Sequence, residues 1–150
     1  DYIENMQRLQ RKLDTAKALL PQPVLEPAGQ ATRCGVIHFG STAPAMGEAI
    51  AHLQAQGLHL DALRVRGYPF AEAVRDFIDA HERVFVVEQN RDGQLRSLLI
   101  EQFEIDPARL VAILHYDGTP ITARFIVRAI GERIGVAQAA PAPGAQVAVA

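Results

Sequence analysis

The sequence predicts an α/β fold: a mostly parallel sheet with helices on both faces, in three α/β/α layers. Three observations carry that prediction. Four short runs rich in apolar and β-branched residues stand at Val36-Ile37-His38-Phe39, Ala62-Leu63-Arg64-Val65, Val84-Phe85-Val86-Val87 and Leu110-Val111-Ala112-Ile113-Leu114. Segments with apolar residues at helical spacing separate them. The joints are short and carry Gly, Pro, Asn or Asp, as compact α/β units require.

The chain opens on a helical pattern over residues 1–20. Tyr2, Met6, Leu9, Leu13, Ala16 and Leu20 recur at steps of four and three, on one stripe. Arg8, Arg11, Lys12 and Lys17 lie beside it, as a solvated face or a binding patch. The first residue is Asp1, and the pattern begins at once. The expectation is a piece of a longer polypeptide, with this helix entering from a preceding domain. Pro21, Pro23, Pro27 and Gly29 then break the helix, so residues 21–32 read as a linker. Val24-Leu25-Glu26 within it is a possible edge strand, where proline is tolerated.

The compact domain is expected over residues 33–134. After its first strand, Gly40-Ser41-Thr42 turns the chain, and Ser41 or Thr42 can cap the helix that buries Met46, Ala49, Ile50 and Leu53. Gly57 fits the C′ position of that helix. Gly67-Tyr68-Pro69 follows the second strand and leads to a helix marked by Ala73, Val74, Phe77 and Ile78. The third run is wholly apolar, the mark of a strand buried on both faces. A helix follows it with Leu95, Leu98, Leu99 and Phe103 expected on its inner side. Asp106-Pro107 turns into the fourth strand, and Thr119-Pro120 can serve as N-cap and N1 of a last helix with Phe125, Ile126 and Ile130. Residues 135–150 form an Ala/Pro/Gly tail without charge or periodicity, expected to be poorly ordered.

Composition narrows function more by exclusion than by suggestion. With 150 residues, 49% hydrophobic and 21% charged, the chain suits one domain with a real core. A net charge of −2 gives no electrostatic case for nucleic acid or an anionic membrane surface. No apolar run approaches the ~20 residues that span a bilayer. The single cysteine, Cys34, makes neither an internal disulfide nor a multi-cysteine metal site, and reads as a buried structural thiol in a cytoplasmic protein.

Ligands of open α/β sheets gather at the carboxyl ends of the strands. Gly40-Ser41-Thr42 could bind an anion at a helix N-terminus or simply cap it. It lacks the Walker ending, and no Gly-x-Gly-x-x-Gly follows any strand. Glu88-Gln89-Asn90-Arg91-Asp92 is the densest polar cluster. Two roles suit it: capping by Asn90 or Asp92, or contact with another domain through Arg91 and Glu88. The five histidines show no metal-ligand spacing. His81 suits a helix C-terminus, and His38 and His115 read as satisfied core or edge residues. Ser41 has no base at a recognisable spacing, so no catalytic residue is assigned.

Four blocks resemble a known family: Gly35-Val36-Ile37-His38-Phe39-Gly40-Ser41-Thr42; Leu63-Arg64-Val65-Arg66-Gly67-Tyr68-Pro69-Phe70; Val86-Val87-Glu88-Gln89-Asn90-Arg91-Asp92-Gly93-Gln94-Leu95-Arg96; and Leu114-His115-Tyr116-Asp117-Gly118-Thr119-Pro120. In this order they are similar to the C-terminal part of the α subunit of 2-oxoacid (2-oxoglutarate-type):ferredoxin oxidoreductases. The resemblance runs from about Tyr2 to Ile130. It implies a transketolase C-terminal domain-like fold: a five-stranded sheet with one edge strand antiparallel, which Val24-Leu25-Glu26 could supply. It also implies an enzyme that decarboxylates a 2-oxoacid with thiamine diphosphate and Mg²⁺, reduces ferredoxin through an iron–sulfur cluster, and releases an acyl-CoA. In that family the α subunit carries a pyrimidine-side thiamine domain, and the β subunit carries the pyrophosphate side and the cluster. This chain has neither the thiamine metal motif nor cysteines for a cluster. It is therefore expected to bind none of these cofactors alone, and to offer Ser41, Thr42, Glu88, Gln89, Asn90 and Arg91 to subunit contacts or a CoA channel. The competing reading is a stand-alone flavodoxin-like module that binds a small ligand.

Overall fold

The computed structural model describes residues 1–134, so the tail expected over 135–150 lies outside the described residues. The elements run α1 (Tyr2–Leu19), β1 (Val24–Glu26), β2 (Cys34–Phe39), α2 (Ala43–Ala55), β3 (Asp61–Val65), α3 (Glu72–Ala80), β4 (Arg83–Glu88), α4 (Gln94–Phe103), β5 (Leu110–Leu114) and α5 (Ala123–Ile134). The five strands form one sheet in the order β1-β3-β2-β4-β5. β2, β3, β4 and β5 are parallel. β1 is the antiparallel edge strand, with Leu25 opposite Leu63. Pro23 and Pro27 bracket β1 and hold it to three residues.

Strand alternation sends side chains into two separate cores. Val36, Phe85, Val87 and Ile113 pack with Met46 and Leu53 of α2 and with Ile126 and Ile130 of α5. On the other face, Ile37, Leu63, Val84 and Val86 pack with α3 and α4. Val84, Phe85, Val86 and Val87 are each 0% exposed, so β4, like its neighbour β2, is covered on both sides. α1 is different, for it buries no residue. Its end turns onto the domain at Leu20, which packs on Gly67.

The helix boundaries correct three expectations. Ser41 and Thr42 cap nothing: Gly40–Thr42 is a 3₁₀ turn running straight into α2, so the backbone is already wound before a cap is needed. The last helix starts at Ala123, with the Thr122 hydroxyl accepting from the Phe125 N–H at 3.2 Å. Thr119 is spent earlier, donating its N–H and its hydroxyl to Asp117 at 2.9 and 2.7 Å. Those bonds hold the Asp117 carboxyl below the usual carboxylate range. Leu98 does not face inward: α4 buries Leu95, Leu99 and Phe103, at steps of four, and leaves Leu98 36% exposed.

Two of the three strand and helix-end histidines are satisfied. His81, the C-cap of α3, contacts the Phe77 carbonyl at 2.7 Å and Asp61 at 3.0 Å. His115 contacts the Thr119 carbonyl at 2.9 Å. His38 departs from expectation: it is buried, yet neither ring nitrogen has a partner among the described residues. Burial first, and then the neighbouring Arg64, push its pKa from 6.5 down to about 4. Cys34 is also less enclosed than expected, half-buried against the α2/α5 core.

Two stability predictions follow from this packing. His38 is neutral in the folded protein, so between pH 6.5 and 4 the unfolded chain binds more protons. Stability should fall by about 3 kcal/mol as pH drops through that window. Urea denaturation across the range should show it, and His38→Leu should flatten the profile. Separately, a Cβ at Gly35 would stand 2.7 Å from the Phe77 ring. Gly35→Ala should therefore cost about 1–3 kcal/mol by overpacking, read as a lower urea midpoint at an unchanged slope.

Candidate functional site

The sheet order places a topological switch point between β2 and β4. From β2 the chain steps outward to β3, then crosses back to β4 on the other side. Open α/β sheets bind ligands in the crevice at such a point. Here Gln89 spans it. Its Nε2 donates to the Ser41 and Thr42 hydroxyls at 3.0 and 3.2 Å, and its Oε1 accepts from the Ile121 N–H at 3.4 Å. One side chain thus ties together the loops after β2, β4 and β5.

The neighbouring helix N-terminus is closed as well. Glu88, the last residue of β4, is 0% exposed. Its carboxylate accepts from the Leu95 N–H at 2.7 Å, the Arg96 N–H at 3.0 Å and the Asn90 amide at 2.8 Å. Asn90 Oδ1 accepts from the N–H groups of Asp92, Gly93 and Gln94 at 3.2, 2.8 and 3.3 Å. Five successive backbone donors from Asp92 to Arg96 thereby find acceptors on two side chains. The positive end of α4, which could otherwise hold a phosphate, already holds the protein's own carboxylate.

The six residues singled out from the sequence therefore separate into two groups. Glu88 and Thr42 are buried inside the loop cluster, and Asn90 is half-buried within it. Asn90 is the capping residue, whereas Asp92 instead pairs with Arg91 at 2.7 Å. Glu88, expected as a contact to another domain, does not present its carboxylate at this surface, because that carboxylate is committed to α4. Ser41, Gln89 and Arg91 remain exposed at the rim.

The strand ends Phe39-Gly40 and Arg64-Val65-Arg66-Gly67, where the sequence points to ligand or partner contacts, line a cleft of about 520 Å³ one strand over, beyond the ends of β2 and β3. Phe39, Tyr68, Phe70 and Leu98 give it apolar walls, and Arg64 and Arg66 line it with positive charge. Neither arginine has an acidic partner within ion-pair distance among the described residues. Tyr68 stacks edge-on against Phe70 at 5.1 Å, and Gln102 pins the Phe70 backbone from both sides, at 2.9 and 2.8 Å. The exposed Tyr68 after a strand was the available signal in the sequence. Among the described residues, no group of three or more His, Cys, Asp and Glu side chains gathers where it could hold a metal, and no helix is long and apolar enough to cross a membrane.

No family model matches the chain, and no curated protein matches it. Solved structures do. The 2-oxoglutarate:ferredoxin oxidoreductase from Magnetococcus marinus, solved with 2-oxoglutarate, coenzyme A and succinyl-CoA bound, is 27% identical with a TM-score of 0.75. That match covers 87% of this chain and 23% of the other, so this chain spans under a quarter of its neighbour's length. A split-gene transketolase, described as an inactive β4 tetramer, matches at 22% identity and a TM-score of 0.58, over 77% of this chain and 42% of that one. The α chain of a probable 2-oxoacid ferredoxin oxidoreductase from Thermoplasma acidophilum matches at 22% and 0.50, over 76% and 97%. The last two show the shared fold. In fold and in sequence the chain is similar to the 2-oxoacid:ferredoxin oxidoreductases, and it fits a C-terminal, transketolase-like fragment of one.

Proposed function

We propose that this chain is the C-terminal structural and subunit-contact domain of the α subunit of a thiamine-dependent 2-oxoacid:ferredoxin oxidoreductase, with 2-oxoglutarate as the preferred substrate class. The match to the M. marinus enzyme over 87% of the chain carries this reading. In the assembly, thiamine diphosphate, Mg²⁺ and the iron–sulfur cluster belong to the pyrimidine-side domain and the β subunit. The complex would hand electrons to ferredoxin and the acyl group to CoA, in the cytoplasm, where lone thiols such as Cys34 stay reduced.

The division of labour agrees with the site. The switch-point crevice that a flavodoxin-like module would use is bridged by Gln89, and the α4 N-terminus is neutralised by Glu88. What the domain offers outward is a rim of Ser41, Gln89 and Arg91 and the lip of the cleft, where Tyr68 is 56% exposed. Exposed aromatics with unpaired arginines are typical of protein contact surfaces. Thr42, Glu88 and Asn90 support that rim from inside.

Three measurements test the reading. The 150-residue chain alone should neither reduce viologen with 2-oxoglutarate and CoA nor give heat with thiamine diphosphate and Mg²⁺ in calorimetry; micromolar binding would overturn the assignment. In the complete enzyme, Arg91→Ala should weaken subunit assembly in sedimentation while leaving the domain's melting temperature nearly unchanged, and the reverse ordering would make Arg91 a purely local residue. Glu88→Ala should lower stability by about 3 kcal/mol, since it strands buried N–H donors, and Glu88→Gln should recover part of that loss. A catalytic carboxylate would behave otherwise: Glu88→Gln would then abolish turnover at full stability.

A further inference from the structure

We propose that His81 and Asp61 form a proton-dependent latch: the imidazolium form of His81, clasped by two acceptors, holds the end of α3 and the linker to the sheet, and loss of its second proton loosens that joint. The inference does not depend on which enzyme the chain serves. His81 is buried, and both of its ring nitrogens face oxygen. Nδ1 lies 2.7 Å from the Phe77 carbonyl, and Nε2 lies 3.0 Å from Asp61 Oδ2.

A carbonyl oxygen only accepts, and so does a carboxylate. A neutral imidazole has one N–H and one lone pair, so it satisfies one of these oxygens and sets its lone pair against the other. Two N–H donors satisfy both. The second proton belongs on the ring and not on Asp61, because imidazole is a stronger base than a carboxylate. The helix favours a cation here as well. Phe77 is among the last four residues of α3, whose carbonyls gather at the negative end of the helix.

Packing leaves the ring no second position. Its centroid lies 4.5 Å from that of the Phe77 ring, and a Cβ on Gly35 of β2 would stand 3.2 Å from its Cγ. Asp61 is held too, because its Oδ1 accepts from the Ala28 N–H at 2.7 Å. The pair therefore ties together the end of α3, the start of β3 and the linker after β1. No other acid lies within ion-pair distance of the ring among the described residues. The charges around it are engaged elsewhere: Glu82 with Arg33, Arg83 with the Arg133 carbonyl, and Arg109 with Asp79 and with the Ile78 and His81 carbonyls. Gly35, which β2 sets against the ring, brings no charge.

A proton lost from the ring in place leaves a lone pair against an oxygen inside the fold. In the unfolded chain both groups stand in water, and the same loss costs no contact. Stability should therefore fall as pH rises past neutrality, in the opposite sense to the effect of His38.

The test is NMR of the histidine ring nitrogens in the isotope-labelled full 150-residue chain. At about pH 7.5, where a free histidine is mostly neutral, His81 should carry a proton on both nitrogens. In Asp61→Asn the side-chain oxygen still accepts from Ala28, but the amide offers an N–H to Nε2. The ring of that variant should keep its Nδ1 proton and lose the other. Between about pH 7 and about pH 9 the melting temperature of the unaltered chain should fall by about 3 °C, and Asp61→Asn should remove that fall. A bare ring nitrogen on His81 in the unaltered chain at about pH 7.5 would overturn the proposal. So would a melting profile that Asp61→Asn leaves unchanged. If Asp61→Asn does not fold, the ring spectrum of the unaltered chain decides alone.

Discussion

The outward face of this domain depends on one buried carboxylate. β4 is covered on both sides, and it ends with Glu88 turned inward beneath α4 instead of outward into solvent. An acid in that position would be costly if unpaired, and here three N–H donors surround it. The pairing fixes more than a helix end. It holds Asn90, which then collects the next three backbone donors, and so gives the loop a single shape. With that loop fixed, Gln89 points across the switch point to Ser41 and Thr42, and Leu95 and Leu98 are set as one wall of the cleft.

The same interaction explains why a fold so often used for binding is quiet at its usual binding places. A parallel sheet offers two ready devices for anionic ligands: the switch-point crevice and a free helix N-terminus. The first is laced by an amide and the second is filled by a carboxylate. The open space that remains is displaced to the β2–β3 side, where its walls are aromatic and its charges are arginines. Such a surface can hold an anionic or aromatic protein segment, but it brings no base, nucleophile or metal-ligand set together. His38 does not change this, because its ring is buried and is not among the residues that line the cleft.

The sequence made the strands legible because each is a compact apolar run, and the alternation of runs with helical periods leaves few topologies open. Even the three-residue β1 could be located, since its bracketing prolines mark an edge. The site was less legible for a physical reason. A glutamate after an apolar strand reads as the first loop residue, and nothing local says that its acceptors will serve N–H groups seven and eight residues downstream. Leu98 misled similarly: one apolar residue among four at helical spacing looks inward until the cleft gives it another face to line. The start of α5 was misplaced because Thr119 and Thr122 are equally good caps in sequence, and only Asp117 decides between them.

The loop from Arg66 to Phe70 lies between the end of α1 and the cleft. On one side Gly67 sits close enough to Leu20 that a Cβ there would stand 3.2 Å from it, which is where α1 meets the domain. On the other side Arg66, Tyr68 and Phe70 line the cleft. The loop cannot yield freely between them, because Gln102 holds the Phe70 backbone by both its N–H and its carbonyl, and Phe70 itself is buried against Phe103. The end of α1 and the cleft therefore lie on opposite sides of one short, pinned piece of chain. A rigid element between an entering helix and a cleft fixes the angle between them, which is a property that a packing domain can contribute to an assembly without touching its chemistry.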